Sequence, residues 1–133
     1  MEMGVDRSVV GLESEEMVFE VEKGAIRKFA EAIGAVTDAF LRGEMAPPTF
    51  PTTFRVTPEG LSIEASRVLH GEQEYVFQRP LRPGDRLRCK SRVADVYEKE
   101  GRSGPMTFVV TETEGRDEAG QLVFVGRSTI IVR

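Results

Sequence analysis

The sequence has one cysteine and one histidine in 133 residues. Cys89 has no partner for an internal disulfide, and no Cys/His cluster has metal-ligand spacing, so a reducing, cytoplasmic setting is expected. Positive charge is not in excess. Eighteen Lys and Arg stand against 22 Asp and Glu, a net charge of −4, which argues against nucleic-acid partners because phosphate binding needs concentrated basic residues. No run approaches the roughly eighteen apolar residues of a membrane span. The opening MEMGVDRSVVGLESEEM carries acids where a signal peptide would be basic and then apolar, so neither a leader nor a membrane segment is expected. Repeats, heptads and low-complexity stretches are absent as well.

What is present is an ordinary globular mixture, 40% hydrophobic and 30% charged, of a length that suits one domain. Residues 1–15, rich in Gly, Ser and Glu, read as a flexible arm preceding a single domain over 16–133. MVFEV at 17–21 suits a short strand. Ile26, Phe29, Ala30 and Ile33 then recur at helical spacing opposite Arg27, Lys28 and Glu31, and Gly34 stands where a left-handed cap would end that helix. The following residues are dominated by turn chemistry, including APPTF and a further proline at Pro51.

Beyond residue 67 the period changes to two. Residues 68–78 place Leu69, Tyr75 and Phe77 on one face, with His70, Glu72 and Glu74 opposite. Residues 79–85, RPLRPGD, are a turn set by two prolines and a glycine. Leu87, Cys89, Ser91 and Val93 then alternate with Arg86, Arg88, Lys90 and Arg92, a strand with one wet face. After the EKEGRSGP hairpin, Met106, Phe108 and Val110 alternate with Thr107, Val109, Thr111 and Thr113, and the apolar Met106 and Phe108 are expected in the core. RDEAG closes another hairpin, and the last strand aligns Leu122, Phe124, Ile130 and Val132, with Gly126 and Ser128 between them marking a bend or bulge. Consecutive antiparallel strands with one apolar face need a cover, so an α+β fold is expected: a curved antiparallel sheet wrapped around a helix.

AIG and a turn, then APPTF, then VLHGEQEYVFQRPLRPGDRL and a strand meander resemble the MaoC-like hotdog dehydratases over residues 21–132. The resemblance is in particular to the N-terminal-half type, which includes the non-catalytic subunit of heterodimeric (3R)-hydroxyacyl-ACP dehydratases; HGEQ followed five residues later by RPLRPGD is the most specific part. The resemblance implies a hotdog fold, a second hotdog as partner, and an acyl thioester of coenzyme A or acyl carrier protein as substrate, with no further cofactor. Active members share G-D-x-N-P-x-H, whose aspartate and histidine activate water or take the substrate α-proton. Here Gly34 matches the glycine, but Ala35 stands at the aspartate, Thr37 at the asparagine, Asp38 at the proline and Phe40 at the histidine. Neither alanine nor phenylalanine can move a proton. In the family the APPTF corner opens a long central helix, whereas Pro51, Pro58 and Gly60 break any long helix here.

Candidate site residues each carry a plainer alternative. His70, the one side chain with an unperturbed pKa near neutrality, and Glu72 and Asp38 are weak candidates for a rebuilt catalytic centre; the alternatives are a structural strand histidine and a turn aspartate. Ala46, Pro47, Pro48, Thr49 and Phe50 are expected to bind substrate, through helix amides beginning near Thr49, or simply to form a rigid corner. Arg86, Arg88, Lys90 and Arg92 could meet the phosphates of coenzyme A or an acidic carrier protein; otherwise they pair with acids such as Glu72 and Glu74 across a solvated sheet face.

Three functions remain open at this point. The first is a catalytically incomplete dehydratase or hydratase subunit, in a homodimer or, with a catalytic partner, a heterodimer. The others are a self-sufficient hydratase or thioesterase, and a non-enzymatic acyl-thioester binder.

Overall fold

The computed structural model describes residues 5–35 and 37–133; residues 1–4 and 36 are not described. Five strands, β1 (Met17–Glu20), β2 (Val68–Phe77), β3 (Arg86–Gly101), β4 (Gly104–Arg116) and β5 (Leu122–Val132), form one sheet in the order β1-β3-β4-β5-β2. Every neighbouring pair is antiparallel. The α-helices among the described residues are α1 (Lys23–Ile33) and the single turn α2 (Asp38–Leu41), beside short 3-10 turns.

Helix α1 ends as its sequence dictates. Gly34 sits at φ 71°, and the Ala35 amide reaches back to the Ala30 carbonyl at 2.9 Å, the bond a left-handed glycine makes possible. Ile26 and Ala30 are fully buried, whereas Ile33, expected in the same stripe, is 49% exposed. The helix packs on one end of the sheet, where Val21, Ile26, Phe50, Leu81, Leu87, Cys89, Val123 and Phe124 share a core cluster. Phe29 meets Phe50 edge-on at 5.5 Å.

A second cluster lies at the other end of the same face: Val93, Val96, Val109 and Val132, covered by Val5, Val9, Leu12, Leu61 and Ile63. Much of that cover comes from the segment expected to be a flexible arm. From Val5 onward it is packed: Gly11 N–H donates to Val93 O, Val93 N–H to Leu12 O, and Ser14 N–H to Ser91 O, at 2.8–2.9 Å. Strand β1 is only four residues long, so it leaves much of the β3 edge unpaired. Residues 11–14 take over the amides and carbonyls that would otherwise be orphaned. The Ser14 hydroxyl is buried with them and accepts from Ser91 N–H at 2.9 Å.

Strand β3 alternates as expected, with Leu87, Cys89, Ser91 and Val93 all buried. Strand β4 is reversed from expectation. Val109 enters the inner core, whereas Phe108 stacks on Tyr97 with ring centroids 4.9 Å apart. Lys99 Nζ lies 5.5 Å from the Phe108 centroid and 5.7 Å from that of Tyr97, and Met106 lies opposite Lys99. Met106 and Phe108 therefore belong to the outer face. The inner face of β4 continues through the threonines instead.

Candidate functional site

Between the two core clusters the inner face opens into a cleft of about 450 Å³, within the range of small-ligand sites. Its apolar wall is Pro51, Phe54, Val56, Tyr75 and Phe124; its polar floor is His70, Gln73, Thr111, Thr113 and Ser128. Two glycines shape the wall. Gly115 lies under Phe124 and Gly126 under Tyr75 so closely that a β-carbon would fall 2.1 Å and 2.8 Å from those rings. Burial pushes the Tyr75 phenol up to about 12, so it remains a neutral hydroxyl at physiological pH.

His70 reaches this cleft because of a bulge. Pairing between β2 and β5 runs His70↔Ile130 and then Glu72↔Thr129, skipping Gly71. The extra residue turns His70 onto the side of Gln73 and Tyr75, whereas strict alternation puts it opposite Tyr75. Its Nε2 lies 3.1 Å from Glu72 O and 3.4 Å from Ser128 Oγ. Glu72 does not follow it: together with Glu74, Arg127 and Thr129 it lines a separate outer depression. Asp38 is exposed at the start of α2 and does not line the cleft. The three weak catalytic candidates thus fail to converge.

The proline corner divides into anchor and roof. Ala46 and Phe50 are buried, at 6% and 3% exposure, and Ala46 N–H donates to Leu81 O at 2.8 Å. Pro47 is buried too, whereas Pro48 and Thr49 face solvent. The helix expected near Thr49 is one four-residue 3-10 turn, Phe50–Thr53, too short to present an array of free amides. What the corner contributes to the cleft is Pro51, Thr52 and, beyond them, Phe54 and Val56. Ala35 and Phe40, at the positions of the expected acid and base, are half-buried and lie outside the cleft's lining.

A family model described as FAS1-like, dehydratase domain region matches residues 8–125. The chain belongs to this MaoC-like hotdog dehydratase family. Relatives of this dehydratase-family chain include a UPF0336 protein of Streptomyces griseus, 32% identical over 98% of the chain and 97% of the relative. Another, from Saccharopolyspora erythraea, is 32% identical over 98% and 93%. Among solved structures, the C-terminally truncated HadBC (3R-hydroxyacyl-ACP dehydratase) complex from Mycobacterium tuberculosis superposes with a TM-score of 0.75 at 22% identity, over 92% of this chain and 96% of that one. The ChsH1-ChsH2 complex from the same organism gives 0.69 at 19% identity, over 90% and 83%. At such identities these likenesses speak for the hotdog fold alone.

The family's long central helix has no counterpart in this dehydratase-family chain among the described residues: 54–64 run without helix. The chain there instead roofs the cleft and covers the second cluster. The basic stripe is fully engaged. Arg86 pairs with Glu118 at 3.6 Å, Arg88 with Glu16 at 3.4 Å, Lys90 with Glu13 at 3.2 Å and Arg92 with Glu112 at 3.0 Å. Its acids come from the N-terminal segment, β4 and the β4–β5 turn rather than from Glu72 and Glu74. Among the described residues there is no group of three or more His, Cys, Asp or Glu arranged to hold a metal, nor a helix long and apolar enough to cross a membrane. The Gln73–Thr111–Thr113–Ser128 floor went unnoticed in the sequence; the signal that could have found it was alternation in β4, where Thr111 and Thr113 share a face with Val109.

Proposed function

We propose that the chain is a catalytically incomplete subunit of a (3R)-hydroxyacyl-thioester dehydratase or enoyl hydratase, which shapes the acyl channel while a second hotdog chain supplies the aspartate and histidine. The observation that carries this reading is the pairing of an open inner cleft with Ala35 and Phe40 at the two proton-handling positions. Elimination of water from a 3-hydroxyacyl thioester needs one group to take the α-proton and another to protonate the departing hydroxyl. The cleft has shape for a substrate but no such couple: its one imidazole, His70, has only a backbone carbonyl and a serine beside it.

Support for a partner comes from strand β2, which ends the sheet on one side with an edge that no described strand pairs and with Leu69 and Val76 exposed at 44% and 53%. An unpaired ten-residue edge strand is a template for pairing with a second sheet. The substrate is an acyl thioester of coenzyme A or acyl carrier protein, and no other cofactor is required. Co-expression with a hotdog protein that carries G-D-x-N-P-x-H, which this reading expects in a neighbouring reading frame, tests it. A stable one-to-one complex that hydrates crotonyl-CoA is expected; no complex, and no gain over the separate chains, contradicts it.

A second reading, a self-sufficient hydratase or thioesterase, draws on the turning of His70 into the cleft. It requires that His70→Ala abolish turnover by the chain alone.

A further inference from the structure

The inner face of this sheet is not apolar from end to end. Thr111 on β4 stands directly opposite Ser128 on β5, and Ser128 directly opposite Gln73 on β2, so three polar side chains form one row in register across three strands. Thr113 lies two residues along β4, on the same face. Apolar rows flank this band: Val109 pairs with Ile130 on one side, and Gly115 with Phe124 on the other. A sheet that only needed to cover a core would bury Val or Ile at such positions.

The band is also little used by the protein itself. The Thr111 and Thr113 hydroxyls make no hydrogen bond within the described residues. Ser128 Oγ and His70 Nε2 are 3.4 Å apart, and Gln73 donates to Arg127 O at 3.4 Å, both at the long limit for such bonds. None of these atoms is a buried orphan, because all of them face the cleft. Across the cleft stand Pro51, Phe54 and Val56, so a ligand lying in the cleft is bounded by apolar carbon on one side and by hydroxyl and amide groups on the other.

Resting on the acyl-thioester reading above, we propose that the ligand segment in this cleft carries hydrogen-bonding oxygen and is not a bare alkyl chain. A saturated chain laid across the band would strip water from four polar groups without replacing its bonds, whereas a hydroxyl, oxo or amide oxygen would meet Thr111, Ser128 or Gln73. Such oxygen has two possible sources: an oxygenated acyl group, or the amides of a pantetheine arm.

Calorimetric titration of the full chain, co-purified with its hotdog partner, distinguishes them. The ligands are dodecanoyl and 12-hydroxydodecanoyl thioesters, each on N-acetylcysteamine and on pantetheine. Thr111→Val is close to isosteric and favours strand, and Ser128→Ala serves as the second variant should the first misfold. Loss of about three- to tenfold in affinity for the hydroxylated ligands alone, on both carriers, assigns the band to the acyl group. A similar loss for both pantetheine thioesters assigns it to the carrier arm: to the amide farther from the sulfur if the N-acetylcysteamine thioesters, which keep only the amide nearest the sulfur, are unaffected, and to that nearest amide if all four ligands lose alike. Unchanged affinity for every ligand, or tighter binding of every ligand to the variants, overturns the proposal. If the unsubstituted complex binds none of the four, the acyl-thioester reading fails and this inference falls with it.

Discussion

Replacing Gly115 with alanine adds one methyl group at the most crowded of the described glycines. The new carbon would lie 2.1 Å from Phe124 Cε1, 2.6 Å from Cδ1 and 2.8 Å from Cζ, so the ring must move by more than an ångström. Phe124 is 1% exposed and holds three aromatic neighbours: Phe77 at 5.9 Å, Phe54 at 6.2 Å and Tyr75 at 6.2 Å between centroids. Overpacking of a filled core costs about 1–3 kcal/mol, and each aromatic pair disturbed forfeits up to about 1 kcal/mol beyond its area. A loss of about 2–4 kcal/mol follows, or roughly 6–15 °C in Tm for a domain of this size. Thermal melts followed by circular dichroism measure it. Gly24→Ala is the control: it lies in α1 with nothing within 4 Å of the added carbon, and should be neutral or stabilising by up to about 1 kcal/mol. A Gly115→Ala protein melting within about 2 °C of the parent would refute the placement of Phe124 over that glycine, and with it the shape of the cleft wall.

Three further outcomes are expected. Burial, with a smaller contribution from the Glu16 carboxylate, pushes the Cys89 thiol up to about 12, and burial alone does the same to Tyr75. Both groups are protonated in folded and unfolded chains below about pH 8; above that the unfolded chain ionises first, so stability should fall progressively toward pH 12, with a shallower slope in Cys89→Ala. Denaturant titrations across that window measure the slope, and a flat profile contradicts it. Asp85 accepts from Arg79 Nη1 and from the Arg82 amide, each at 2.8 Å, and so closes the RPLRPGD turn; Asp85→Ala should cost about 1–3 kcal/mol in urea unfolding. Glu112 bridges Arg92 and Arg127 on the outer face, where all three side chains meet solvent; Glu112→Gln should cost at most about 1 kcal/mol, and the difference should shrink in 1 M salt.

The helix cap at Gly34, the wet and dry faces of β3 and the two hairpins were legible because each depends on local chemistry: a left-handed glycine, a period of two, turn residues at fixed spacing. The inner face of β5 was legible for the same reason, but Gly126 and Ser128, expected to mark a bend or bulge, pair in unbroken register; the small residues leave room for Tyr75 and the cleft instead. What escaped depended on partners far away in sequence. The bulge at Gly71 changes the face of His70 without leaving a mark in the alternation itself. Val5 and Ser14 sit in a polar-looking segment, and only the unpaired edge of β3 explains why that segment packs. Met106 and Phe108 looked like core by composition, but the inner face of β4 has to line a cleft as well as a core, so it carries Thr111 and Thr113. The candidate site was thus half visible: Ala35 and Phe40 could be read in the turn at 34–40, while the cleft's polar floor needed the strand register.

The most direct test of the account is the rate of crotonyl-CoA hydration by the purified chain alone, set against the same chain reconstituted with a hotdog partner that carries G-D-x-N-P-x-H. Turnover is expected only in the reconstituted sample, and it should be unaffected by Asp38→Asn in this chain. Brisk hydration by the isolated chain would contradict the account.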